Sequence, residues 1–265
     1  MSDYGLSEYS RQVRDSSTAE QSQHHDDDSL FSGVGASFPP EDYKLGQRIR
    51  RKLRKQVDGT YHKFLPISDL HEIMQHETVV GFLRSELPVS SWSNIPSIVT
   101  AICGPLDAQN DDHESKAARR VFAILVHLEM PNEIVALIND GICDGDLPLV
   151  RADEKHGSYG LKRDPERHPE RPQGPLACFE PWKQRDREDF EIYQYWMTAP
   201  FFAMKNGRSR RYKFQDWDVL PFTAQEDVNV TPHSIVSRVE IHEAHHKLPA
   251  VGMSSSLAVP FVAPC

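Results

Sequence analysis

His242, Glu243, Ala244, His245 and His246 read HEAHH, which satisfies the HExxH pattern of zinc hydrolases. In that chemistry two imidazoles hold the metal and the glutamate acts as general base. The spacing works only on a helix, where positions i and i+4 lie about 5–6 Å apart. On a strand, at ~3.3 Å per residue, His242 and His246 would be about 13 Å apart, too far for both nitrogens to reach ~2.1 Å from one zinc. Upstream, SRVEI alternates β-branched and charged residues, and downstream Pro249 leaves less than two turns of helix after His242. The ending PAVGMSSSLAVPFVAPC holds no His, Asp or Glu, so Cys265 is the sole further donor there. The segment therefore reads as the end of a strand. A zinc metallohydrolase using His242 and His246 with Glu243 stands as the alternative.

A second candidate is YKLGQRIRRKLRKQV, residues 43 to 57, where Leu45, Ile49, Leu53 and Val57 recur every four residues. Arg48, Arg50, Arg51, Lys52, Arg54 and Lys55 occupy the other faces. They form either an anion-binding patch or a solvated helix face balanced by acidic neighbours. His24, His25, Asp26, Asp27 and Asp28 lie in a polar, Ser- and Gln-rich tail and read as solvated. No GxSxG, no GxxxxGK[ST] and no CxxC pair occurs, so no nucleophile elbow, phosphate loop or zinc ribbon is indicated. No cofactor is expected.

The 265 residues carry 39 acidic and 30 basic side chains, a net charge of -9. Such a chain is poorly suited to neutralising a nucleic-acid backbone. Neither a signal peptide nor a stretch of about 18–20 apolar residues is present, which places the expectation at an intracellular protein, cytoplasmic or nuclear.

These residues must be held by a mainly α framework. Residues 1–42 read as a disordered tail and 43–225 as an irregular helical domain. Within it, Asp69 and Glu72 resemble a capping box, Asn94 precedes a helix that ends at Gly104, and SKAARRVFAILVHLEM is the strongest helical stretch. Pro131 and Gly141 bracket the next helix, giving a helical hairpin. Residues 151–176, charged and Pro-rich, read as a mobile loop. Phe190, Tyr193 and Met197 share a stripe on a helix ended by Pro200. Period-two alternation at Tyr212 and Phe214, and again in IVSRVEIHE, reads as strand.

VFAILVHLEMPNEIVALINDGICDGDLPL, CFEPW, FEIYQYWMTAPFF, YKF, VLPF and VSRVEIHEAHH succeed one another in order. The chain, over roughly residues 44 to 250, resembles fungal proteins in which a helical region precedes a protein-kinase-like domain. The resemblance implies that VSRVEIHEAHH is the second strand of a kinase amino-terminal lobe and that 226–265 is a truncated kinase-like β segment, a short antiparallel remnant. The phosphate-covering loop would then read VTPHSIV, with Thr231 and Pro232 where glycines are expected, and LAVPF would put Pro260 at the lysine position. The catalytic HRD and DFG motifs are absent. The resemblance thus implies no catalytic and no nucleotide-binding residues, and a non-catalytic interaction or regulatory region with a protein partner. A kinase fragment with residual ATP binding is the second alternative.

Overall fold

The computed structural model describes residues 45–57, 61–105, 116–152, 159–204, 212–231 and 234–248, together with the backbone of 256–261. The expected tail, 1–42, lies outside the described residues, as does Cys265. Seven α-helices run through the described residues: α1 (Leu45–Lys52), α2 (Ile67–Ile73), α3 (His76–Glu86), α4 (Ile95–Cys103), α5 (Arg119–His127), α6 (Ile134–Asn139) and α7 (Gln184–Met197). The fold is mainly α, with small sheets between and after the helices.

Helix α5 is the centre. Val121 through Val126 are all buried, and α1, α2, α4, α6 and α7 pack around it. A helix apolar on every side has no solvent face, so it can only sit inside a bundle. Removal of such side chains from water, at about 1.5–3 kcal/mol each, is what offsets the entropy of ordering the surrounding short helices. Phe82 meets Phe122 edge to face at 6.0 Å, and Phe179, Trp182 and Phe190 form a second aromatic group on the same core.

Short ladders close the gaps between helices: β1 (Arg54–Lys55) with β2 (Lys63–Phe64), and β3 (Val150–Arg151) with β4 (Leu161–Lys162), both antiparallel. The basic segment is therefore not helical to residue 57. Helix α1 stops at Lys52, because the chain then turns extended to pair with β2, which seats the fully buried Phe64. Asp69 and Glu72 form no capping box: Pro66 precedes α2, and both carboxylates reach across to Lys52 instead. Asn94 gives no side-chain cap, since the 3-10 turn Val89–Asn94 runs straight into α4 and holds Asn94 in helical dihedrals.

The expected hairpin of α5 and α6 forms, joined through the 3-10 turn Pro131–Glu133. Residues 151–176 are not a free loop over their described part, 151–152 and 159–176. Tyr159, Leu161 and Leu176 are buried in the main core, and Arg163 is buried with them. Three apolar anchors spaced among many charges were enough to seat the segment.

Beyond α7 the chain builds a second, smaller core of Phe202, Leu220, Phe222 and Val239. Around it, β5 (Phe202–Ala203) pairs in parallel with β8 (His246–Lys247). Strands β6 (Phe222–Thr231), β7 (Ser234–Ile241) and β9 (Ser256–Phe261) form an antiparallel sheet in that order. Ser237 and Val239 are buried while Arg238 and Glu240 are exposed, as the alternation required. The sheet begins at Phe222 rather than at 226, since Phe222 already pairs with Ile241. Tyr212 and Phe214 are not in a strand; their rings stack at 6.0 Å and pack on Phe202.

Candidate functional site

Strand β7 ends at Ile241, and HEAHH begins where it stops. His242 opens a 3-10 turn, Glu243–His245, and its Nδ1 accepts from the Ala244 N–H at 3.2 Å. His246 then enters β8 opposite Phe202. The α-helical turn that would bring His242 and His246 onto one metal is not formed. Among the described residues no group of three or more His, Cys, Asp or Glu side chains is placed to hold a metal ion.

The histidine that matters is one the motif treats as filler. His245 is 2% exposed; its Nε2 accepts from the Ile67 N–H at 3.2 Å and its Nδ1 faces the Pro200 carbonyl at 3.1 Å. Accepting at one nitrogen and donating at the other assigns the neutral Nδ1–H tautomer. Burial pushes its pKa down to about 4, against the Pro200 carbonyl, which pulls it up; His242 and Arg120 add to the fall. Phe64 meets the rings of His242 and His245 edge to face at 5.8 and 5.6 Å. HEAHH therefore ties the C-terminal sheet to the start of α2 and the exit of α7.

The basic run is divided by the helix end. Arg50 pairs with Glu129 at 2.6 Å, and Lys52 with Asp69 at 2.9 Å and Glu72 at 3.2 Å. Arg48 is half-buried on α1, and Arg51, Arg54 and Lys55 stay exposed.

What sequence reasoning passed over is the stretch NDGICDGD, residues 139–146, whose acids looked like surface charge. Asp140 accepts from the Cys178 N–H at 2.7 Å. Asp144 accepts from the Arg120 and Val121 N–H groups at 2.9 and 3.0 Å, capping α5 from a distance where Ala118 has no side chain to do so. Burial pushes the Asp144 carboxyl up to about 6, opposed by the Arg120 charge and those two amides. Asp146 accepts from the Cys143 N–H and from Arg163 Nε, both at 2.9 Å. Arg163 also donates to the carbonyls of Asp140 and Gly141, the two residues just past the end of α6, at 2.9 and 3.0 Å. Close by, the fully buried Gln194 accepts from the Leu149 N–H at 2.7 Å and donates to its carbonyl at 2.9 Å. The signal in the sequence was an Asp before each glycine and one after, a pattern suited to turning and to capping. All three carboxylates are committed to amides or to Arg163, which suits them to holding the fold and not to proton transfer.

Beside a shallow groove of about 480 Å³ lined by His71, Met74, Gln75, His76, Glu77 and Arg119, two further surface features stand out. A cleft of about 350 Å³ lies between α4 and α6, lined by Leu87, Ser91, Asn94, Ile98, Val135 and Ile138, with no titratable side chain in its wall. The other is β6, of which only Phe222 is buried, with Val228 56% and Val230 64% exposed. No family model, no curated protein and no solved structure matches the chain.

Proposed function

We propose that this chain is a non-catalytic interaction or regulatory region of a protein-kinase-like protein, working through a protein partner. The observation that carries the interaction reading is β6. It pairs with β7 along one side, and among the described residues no strand pairs with the other. A ten-residue edge presents a row of N–H and C=O groups to an incoming strand, and the exposed Val228 and Val230 add apolar contact. The register shift at Asp227 and Asn229 bulges Val228 out of the ladder, which discourages indiscriminate pairing.

Support for the kinase-like part is the antiparallel meander β6, β7 and β9, where the resemblance expects three successive lobe strands. Pro260 lies opposite Val236 in that meander, so the third strand offers no lysine to a nucleotide. Thr231 and Ser234 close the hairpin through their own hydroxyls at 2.9 Å in place of a glycine-rich loop.

The test has two arms. The purified chain shows no thermal shift with Mg-ATP and holds no tight zinc; a shift, or a zinc lost on His242→Ala, overturns the non-catalytic reading. A partner recovered at fixed stoichiometry by proximity labelling loses binding on Val228→Asp with Val230→Asp, and unchanged binding removes β6 from the proposal.

A further inference from the structure

Six basic side chains between Arg48 and Lys55 look alike in sequence, and the fold sorts them. Arg50 and Lys52 are neutralised by carboxylates on neighbouring elements. Arg51, Arg54 and Lys55 take part in none of the ion pairs formed among the described residues, and Lys63 does not either. The β1–β2 register then sets Lys55 directly opposite Lys63. Directly opposed residues of an antiparallel pair have Cβ atoms about 4.5–5.5 Å apart, where like charges repel. A two-residue ribbon has few hydrogen bonds with which to resist that repulsion. The Lys63 ammonium sits 5.5 Å from the Trp196 ring centroid, and Tyr61, at 96% exposed, stands two residues before it.

We infer that the β1–β2 ribbon docks an acidic peptide segment of a partner protein, with a carboxylate bridging Lys55 and Lys63 and the charges of Arg51 and Arg54 adding to the local field. A carboxylate between two ammonium groups turns a repulsive pair into two attractive ones. A short peptide suits the ribbon better than nucleic acid or a lipid surface. The basic ground is a few residues long, and the chain around it carries a net charge of -9, which repels an extended polyanion. The inference rests on the reading of the chain as an interaction region and names the class of partner.

Fluorescence anisotropy with a labelled ten-residue Glu- and Asp-rich peptide tests it. The expected results are saturable binding that weakens steeply with salt and at least a tenfold loss for Lys55→Glu with Lys63→Glu. Lys55→Gln is expected to lower affinity while leaving the Tm no lower than that of the parent chain, because it removes the cross-strand repulsion. A control of equal charge change elsewhere, Arg171→Glu with Arg185→Glu, stays within twofold. Absence of saturable binding overturns the inference, as does an equal loss in the control, or preference for an oligonucleotide or for phosphatidylserine vesicles. Val228→Asp with Val230→Asp is carried through the same titration and leaves peptide binding unchanged. Failure of the peptide to bind therefore leaves the β6 reading standing.

Discussion

Arg163 donates through Nε to Asp146 at 2.9 Å with both side chains sealed from solvent, 4% and 1% exposed. The same guanidinium closes the carbonyl end of α6, while the same carboxylate holds the Cys143 N–H. One ion pair thus joins the segment 159–176 to the turn that caps the central helix.

Breaking that pair on one side leaves a charge buried without a partner, which costs about 3–5 kcal/mol. Arg163→Met and Asp146→Asn, each alone, are expected to lose stability of that order in chemical denaturation. The double variant is expected to recover part of the loss. Single variants that denature within about 1 kcal/mol of the parent chain would show that the pair does not bind the two segments.

Stability is expected to fall in mild acid. His245 and His127 both have folded pKa values lowered to about 4 by burial, below the unfolded value near 6.5, so the unfolded chain takes up their protons first. As pH drops from about 6.5 to about 4, the sealed His245 removes on the order of 3 kcal/mol, and the half-buried His127, screened by solvent, roughly half of that. Asp144, with its folded pKa raised to about 6, has the opposite sign: the folded chain protonates it first, which returns roughly 3 kcal/mol over the window from 6 to 4. Two terms against one leave a net fall of about 1–2 kcal/mol by pH 4. His245→Gln should turn that fall in unfolding free energy, measured against pH, into a small rise of about 1–2 kcal/mol, and matching slopes for parent and variant would refute the account.

Two successive helix ends test backbone strain. Helix α5 ends with Glu129 at φ 63° and α6 with Gly141 at φ 68°, each followed by the paired hydrogen bonds of a Schellman turn. A side chain at such a φ costs about 1 kcal/mol, and the exposed Arg50–Glu129 pair is worth less than that. Glu129→Gly is expected to be neutral or stabilising by up to about 1 kcal/mol. Gly141→Ala is expected to destabilise by about 1 kcal/mol or more, although no atom obstructs its Cβ. Equal signs in thermal melts would count against this reading.

Much of the framework is readable along the chain. The period of Val121, Phe122 and Leu125, the stop at Pro131 and the glycine at 141 locate the central hairpin, because these are local dihedral and burial preferences. The stripe of α7 is only partly readable: Phe190 and Met197 are buried as expected, but Gln194 is buried too and Tyr193 is not fully so. A buried glutamine is visible only once the Leu149 backbone is placed beside it.

By itself the sequence determined that the chain is mainly helical up to the aromatic helix, that SRVEI is a strand, and that HEAHH continues from a period unsuited to a zinc helix. These conclusions rest on periodicity, which acts over neighbouring residues. Only the tertiary structure decided which charges are partnered and which polar atoms cap. Asp144 caps a helix 24 residues before it, His245 a helix 178 residues away, and Lys55 faces Lys63 rather than a carboxylate. Hydrogen bonds and ion pairs of this kind depend on distances of about 3 Å between segments remote in the chain, and no local pattern encodes such distances.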